Sequence, residues 1–173
     1  MNIVLTESGE PSLRYVIGAL LARSRSADFA IANIRLSHID IDAAELAGVR
    51  MRILLGRFEA AHTRDPLLAQ RMEALAALVQ TGAVQLRSAG MGSWLPDFSV
   101  YRLDSGASPR TACLVGAHYF GAPPCSGPCL TSVHTDAHSV GTAAARFNEL
   151  WELGHDVSDV IAQAMRQMSV AGA

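Results

Sequence analysis

The sequence predicts a single α/β domain whose mixed β-sheet is flanked by helices on both faces. Segments with strand and helix patterns alternate through the first half, a run of strand patterns follows, and helical patterns end the chain. Half of the 173 residues are hydrophobic and only 17% are charged, which is typical of a folded chain rather than a disordered one. The length suits one continuous core, and no repeat or linker divides residues 1–173.

The first elements follow from local patterns. Residues 2–5 are an apolar run that predicts a strand, and Pro11 is favourable as the first residue of a helix ending near 23–26. The apolar face of that helix recurs at helical spacing in Leu13, Val16, Ile17, Leu20 and Leu21. Residues 28–34 predict a buried strand, and 37–48 predict one or two helical turns.

The next strand and helix have clear signals. Residues 49–55 alternate in polarity, so we expect a strand with Arg50 and Arg52 on one face and Met51 and Ile53 on the other. Asp65 followed by Pro66 predicts a helix start, and Gly82 predicts its end. The apolar face of this helix consists of Leu68, Met72, Leu75, Leu78 and Val79.

Four strands and two helices are predicted in the remainder. The strands are residues 83–87, 98–103, 111–115 and 130–134. Aromatic and β-branched residues concentrate in 98–103 and 111–115. A helix over 142–153 is expected to bury Phe147, Leu150 and Trp151, and a last helix covers 157–168.

The basic residues and cysteines limit which motifs, partners and cellular compartments the sequence predicts. All 14 basic residues are arginines, so no motif that needs a lysine exists in this chain. The net charge of −2 does not indicate a partner of strong negative charge. Three cysteines (Cys113, Cys125 and Cys129), no signal-peptide pattern and no apolar run of spanning length predict a reduced, cytoplasmic protein without membrane association.

The stretch 91–121 contains the most informative pattern. Its two strands are joined by a loop, and the second leaves through Gly116-Ala117-His118-Tyr119. This arrangement resembles the phospholipase D-like superfamily, whose signature H-x-K-x-x-x-x-D lies on one strand and is followed by a Gly-Ser-x-Asn-like turn. The resemblance extends over residues 28–151. Laid on the signature, Asp97 occupies the His position, Ser99 the Lys position and Asp104 the Asp position.

The resemblance implies a fold without the family's catalytic equipment. In that family the His attacks phosphorus and the Lys neutralises phosphate oxygens, whereas Asp97 and Ser99 can do neither. Asp104 is expected to be a turn residue before Ser105-Gly106. Because the family builds its active sites from two motif copies and this chain has one, we expect a homodimer or pairing with another such domain.

Other residues near the motif are candidates for binding or relocated catalysis. His118 follows the strand beside the degenerate motif. By the resemblance, it would face the position of the family's active-site pocket. We therefore expect a binding surface at Trp94, Asp97, Ser99, Gly116 and His118, and His118 is the one candidate for a relocated nucleophile. Alternatively, His118 is a half-buried histidine that makes a hydrogen bond to the backbone and has no functional role.

A cysteine–histidine cluster is the only candidate site for a cofactor, which would be a zinc ion. Cys125, Cys129, His134 and His138 supply the ligand types that zinc prefers. If the strand continued past His134, then His134, Asp136 and His138 would share one face. Ordinary thiols and polar residues at a strand end are the alternative, and otherwise no cofactor is expected.

These observations predict a catalytically degenerate phospholipase D-like protein that acts as a binding or assembly factor. By family analogy it would serve a bacterial DNA-processing or phage-defence system. One alternative is a hydrolase or nuclease of altered mechanism, based on His118 or on a metal. Another is a nucleic-acid-binding module, although Arg50 and Arg52 are more simply a solvated strand face.

Overall fold

The computed structural model describes residues 3–5, 13–35, 46, 48–59, 65–90, 95–104, 106, 110–116 and 131–171. Four helices and eight strands lie in these ranges. In chain order they are β1 (Ile3–Leu5), α1 (Leu13–Leu21), β2 (Ser24–Arg35), β3 (Arg50–Glu59), α2 (Pro66–Gln80), β4 (Val84–Ser88), β5 (Phe98–Leu103), β6 (Thr111–Gly116), β7 (Thr131–His134), α3 (Ala137–Leu153), β8 (His155–Asp156) and α4 (Ser158–Ala171). No helix in the described ranges is both long and apolar enough to cross a bilayer.

The strands form one mixed sheet in the order β1-β7-β6-β5-β2-β3-β4-β8. The adjacent strands β2, β3 and β4 run parallel, and every other pairing is antiparallel. The carboxyl ends of β2, β3 and β4 therefore lie at the same edge as the start of β5 and the end of β6. We call this edge the motif edge, because Asp97 and Gly116 lie there. The edge at which β2 and β3 begin is called the opposite edge.

Helices cover both faces of the sheet. One face packs against α1, α2 and α4, in a core that includes Ile17, Phe29, Met72, Tyr101 and Ile161. The other face packs against α3 in a smaller core, whose largest members are Phe98, Phe147 and Trp151. The predicted α/β class with helices on both faces is confirmed.

Local signals predicted several elements correctly. The Asp65 carboxylate accepts a hydrogen bond from the Leu67 amide at 3.0 Å, and Pro66 is the first residue of α2. Gly82 follows α2 with φ of 74°, a conformation that favours glycine. In β3, Met51 and Ile53 are buried on one face, whereas Arg50 is exposed.

Several boundaries differ from the sequence predictions, and β2 and β3 are longer than predicted. Helix α1 ends at Leu21, because β2 begins as early as Ser24 and its Oγ donates to the Leu20 carbonyl at 2.7 Å. Helix α3 begins at Ala137 rather than at 142, because Asp136 caps it by accepting from the Ser139 amide at 2.8 Å. The short strand β8 was not predicted. Pro11 and most of the predicted turns in 37–48 lie outside the described residues.

Candidate functional site

Asp97 lies just before β5 at the motif edge and makes hydrogen bonds to β2 and β6. Its carboxylate oxygen Oδ1 accepts a hydrogen bond from the Ala32 amide of β2 at 2.7 Å. Its carbonyl accepts another from the Gly116 amide at the end of β6 at 3.1 Å. The side chain at the signature His position is thus engaged by backbone. It is also half-buried, and the loss of water around it raises the pKa of its carboxyl, a shift that the Ala32 hydrogen bond partly offsets.

Ser99 points into the core rather than toward the motif edge. The residue has no solvent exposure, and its hydroxyl donates to the Tyr101 hydroxyl at 3.1 Å. Tyr101 is itself fully buried, packs edge-on against Phe29 with ring centroids 5.6 Å apart, and has its pKa raised far above the usual range by burial. The signature Lys position therefore holds a small hydroxyl inside the larger core.

Gly116 matches the glycine of the family's turn for a conformational reason. Its φ is 130°, in the region that residues with a side chain rarely adopt. This conformation ends β6 next to Asp97, so the structure brings these two predicted site residues together.

Asp104 lies at the far end of the motif strand. It is exposed, and its amide donates to the Arg23 carbonyl at 2.8 Å. Seven residues of extended chain separate it from Asp97, a span of about 23 Å. Asp104 therefore takes no part in the chemistry of the Asp97 region.

The histidines of the cysteine–histidine cluster do not share a strand face. Strand β7 ends at His134, and His138 is exposed in the first turn of α3. Asp136 is committed to the cap of α3, and its hydrogen bonds with Ser139 lower the pKa of its carboxyl. The expectation that His134, Asp136 and His138 line up on a continued strand is therefore wrong.

No metal site forms among the residues that the structure describes. No three His, Cys, Asp or Glu side chains in those ranges are grouped closely enough to hold an ion. Cys125 and Cys129 lie outside those ranges, as do Trp94 and His118. Of the residues predicted for the binding surface, Asp97, Ser99 and Gly116 are described. Asp97 and Gly116 are partly exposed at the motif edge, whereas Ser99 is buried in the core and is not on a surface.

A cavity of about 400 Å³ opens beside the junction of Asp97 and Gly116, between the sheet and the start of α3. His134 lines it. One ring nitrogen, Nε2, lies 2.8 Å from the Ser132 hydroxyl, and the other, Nδ1, is buried without a hydrogen-bond partner among the described residues. Cys113, fully buried at its wall, has its thiol pKa raised by burial and by the charge of Asp136. The cavity is mainly apolar, so it suits an apolar group more than an anion.

Sequence reasoning missed two features of the site and its surroundings. The Ala32 amide, which holds Asp97, carries no sequence signal, because any residue but proline has an amide. The second feature is an ion pair in which Arg52 donates to Asp28 at 2.8 Å, so Arg52 is not the freely solvated residue that was expected. A signal for it did exist: a carboxylate inside an apolar strand requires a partner.

Three solved structures have similar folds. Nuc from Salmonella typhimurium, a phospholipase D family member, matches with a TM-score of 0.58 and 16% identity, over 90% of this chain and 97% of that chain. NucT from Helicobacter pylori matches with a TM-score of 0.58 and 13% identity, over 90% and 98%. The archaeal chromatin protein TrmBL2, whose structure shows a novel mode of DNA binding, matches with a TM-score of 0.54 and 16% identity. That match covers 90% of this chain and 53% of TrmBL2.

Comparison of the sequence alone gives no match to a family model or to a curated protein. The structural matches extend over nearly the whole length of Nuc, a phospholipase D family member, and of NucT. This protein therefore has a phospholipase D-like fold.

Proposed function

We propose that this chain is a single phospholipase D-like domain that does not hydrolyse phosphodiesters and acts by binding and assembly. One observation carries the proposal: the side chains at the signature His and Lys positions both make hydrogen bonds within the protein. The Asp97 carboxylate binds the Ala32 amide, and the Ser99 hydroxyl donates to Tyr101 in the core. The Ser99 hydroxyl is therefore closed off from the motif edge, and one of the two Asp97 carboxylate oxygens is already bonded to backbone.

The chemistry of the reaction supports the same conclusion. A phosphodiester is an anion, so its hydrolysis requires a nucleophile and cationic donors where negative charge develops. Asp97 introduces a carboxylate in place of the nucleophile, and Ser99 introduces no charge in place of the cation. Loss of single groups of this kind reduces rates by about 10²–10⁶.

The proposed assembly is a homodimer, or a pair with another phospholipase D-like domain, that meets at the motif edge. Single-motif chains of this fold need a second copy to complete a two-motif arrangement. Without catalysis the two copies can pack closely, because no substrate channel has to stay open. The role in a bacterial DNA-processing or phage-defence system remains part of this proposal by analogy.

An activity assay tests the absence of hydrolysis. The purified protein would be incubated with bis(4-nitrophenyl) phosphate, linear DNA and phosphatidylcholine vesicles, each with and without a chelator. We expect no product above the buffer rate in any case. Turnover that persists with the chelator and disappears in a folded His118→Ala variant would contradict the proposal and establish a relocated nucleophile. Turnover that the chelator abolishes would favour the metal-dependent alternative.

Nucleic-acid binding is a second candidate, supported by the likeness to the DNA-binding chromatin protein TrmBL2. Binding through phosphate contacts weakens steeply as salt rises. Retention of duplex DNA would therefore be measured at two salt concentrations. Strong retention at low salt that is lost at moderate salt supports this candidate, and no retention at low salt contradicts it.

A further inference from the structure

The opposite edge of the sheet has a second cavity, of about 300 Å³, on the face that α3 partly covers. Its lining residues on β2, Asp28 and Ser26, lie about 13 Å and about 20 Å along the strand from Ala32. Its charged lining residues are Arg50, Arg52, Arg102 and Asp28. Three guanidinium groups and one carboxylate leave the cavity with a net charge of +2.

Asp28 holds two of these arginines in place. It is only 2% exposed, and its two oxygens accept from Arg52 Nε at 2.8 Å and from Arg52 Nη2 at 2.9 Å. The oxygen Oδ2 also accepts from Arg102 Nη1 at 2.7 Å. One buried carboxylate needs only one guanidinium for neutralisation, so the second arginine brings a positive charge that the protein does not balance there.

Arg52 is positioned further by α3. Its Nη2 donates to the Asn148 side-chain oxygen at 2.9 Å, and its guanidinium carbon lies 4.9 Å from the centre of the Phe147 ring and 5.4 Å from that of Trp151. These contacts fix the guanidinium plane before any ligand arrives. A ligand that binds it therefore loses little affinity to the ordering of this side chain.

Arg50 is the third arginine that lines the cavity, and among the described residues it makes no contacts of the kind that hold Arg52 and Arg102. It is exposed, it pairs in register with Ser26, and it makes no ion pair or side-chain hydrogen bond with any described residue. Three like charges around one small space repel one another, and a bound anion would relieve that repulsion. The polar side chains of Ser26 and Gln85 also line the cavity and can hydrogen-bond to oxygens.

From this arrangement we propose that the cavity of Arg50, Arg52 and Arg102 binds the phosphate group of a small phosphorylated molecule. A phosphate monoester carries close to two negative charges at neutral pH, which matches the net charge of the lining. The Arg50 guanidinium can recognise such oxygens through paired N–H donors, and Arg52 Nη1 and Arg102 Nη2 are not used in the bonds to Asp28 and Asn148. The volume suits one small molecule. The site is independent of the proposed function, because it lies at the other end of the strands.

Calorimetric titration with inorganic phosphate and with pyrophosphate tests the proposal. Ionic strength would be held constant with chloride, so that general salt effects cancel. We expect saturable binding to the wild-type chain. We expect Arg50→Gln to weaken this binding about tenfold or more, as for loss of a charged hydrogen-bond partner. Because Arg50 is exposed and unpaired among the described residues, the variant should keep its thermal unfolding midpoint without phosphate.

Arg57→Gln is the matched control, because Arg57 is an exposed arginine near the other end of the same strand. We expect it to bind phosphate like the wild type. No saturable binding to the wild type would overturn the proposal, as would equal weakening by both variants. Tight binding of duplex DNA that Arg50→Gln abolishes and that phosphate does not displace would overturn it in favour of a nucleic-acid surface.

Discussion

The side chain of Asp97 combines two opposing effects. Burial penalises its charge, and the hydrogen bond from the Ala32 amide favours that charge. Burial is the larger effect, since the pKa of the carboxyl is raised. The folded protein therefore binds a proton at Asp97 more tightly than the unfolded chain does. The stability that this protonation provides is fully present below the ordinary pKa of 3.8 and is lost as pH rises through the folded-state pKa.

An Asp97→Asn variant tests this balance. Asparagine stays neutral at all of these pH values, and its side-chain oxygen can still accept from Ala32. We expect the variant to be more stable than the wild type at pH 7, and the difference to shrink as pH falls toward 3.8. Urea unfolding at several pH values measures the difference in the free energy of unfolding between the variant and the wild type. Asp104→Asn, at an exposed carboxylate after the other end of the same strand, should bring no comparable gain. A loss of stability at pH 7 in Asp97→Asn would show that the charged hydrogen bond is the larger effect.

The Ser99 position should not tolerate the signature residue of the family. Ser99→Lys would place an ammonium group in a core with no solvent exposure, where Ser99 now bonds to the Tyr101 hydroxyl. We expect the free energy of unfolding to fall by about 3–5 kcal/mol, because a buried charge lacks a partner. Asn33→Lys, at an exposed position of β2, should change it by less than about 1 kcal/mol. Equal stability of the two variants would mean that the Ser99 position opens to solvent.

At the scale of elements, α3 is attached to the sheet by its aromatic residues. Phe147 and Trp151 are stacked with ring centroids 5.7 Å apart, and Phe147 also meets Phe98 edge-on at 6.4 Å. Arg87 covers the Trp151 ring, with its guanidinium carbon 4.8 Å from the ring centre, and donates to the Trp151 carbonyl. The predicted burial of Phe147 and Trp151 is confirmed, whereas Leu150 is only partly buried.

A Trp151→Ala substitution should therefore loosen α3. We expect a loss of about 3–5 kcal/mol in the free energy of unfolding, typical of a buried aromatic deletion. Leu153→Ala on the same helix should stay within about 0.5 kcal/mol, since Leu153 is 77% exposed. Chemical denaturation measures both. With Trp94 replaced by phenylalanine, the emission of Trp151 should be that of a buried indole, and a spectrum typical of indole in water would contradict this packing.

For the whole molecule, the motif edge is where we expect a second copy. The residues Trp94, Leu95 and Pro96 precede the motif strand, and Trp94 lies outside the described residues. A stable interface there should bury about 1,200–2,000 Å² in total. Two identical copies would meet through the same surface of each chain.

Sedimentation equilibrium at micromolar concentration tests the dimer. We expect a mass of twice the 18.4 kDa of one chain, and a shift toward one chain in Trp94→Arg. Tyr15→Arg, at a position of α1 that is 69% exposed, should leave the mass unchanged. A wild-type mass of one chain, unaltered by either substitution, would leave the proposed assembly without support.

Local patterns were sufficient for much of the fold. The spacing in α1, the Asp65-Pro66 start of α2 and the alternation in β3 are signals that act between near neighbours in the chain, so they are visible in the sequence. The replacement of the signature His and Lys by Asp97 and Ser99 was equally visible. The predicted start of α3 at 142 is wrong because Asp136, between two histidines, is compatible with a continued strand or a metal site as well as with the helix cap that it forms.

The sequence by itself determined that this chain has an α/β fold and no lysine for lysine-dependent chemistry. Only the tertiary structure decided what its charged groups do. Asp97 meets an amide 65 residues away, and Asp28 meets arginines 24 and 74 residues away. Such pairs depend on the order and register of strands in the sheet, which arise from packing of the whole core rather than from any local pattern.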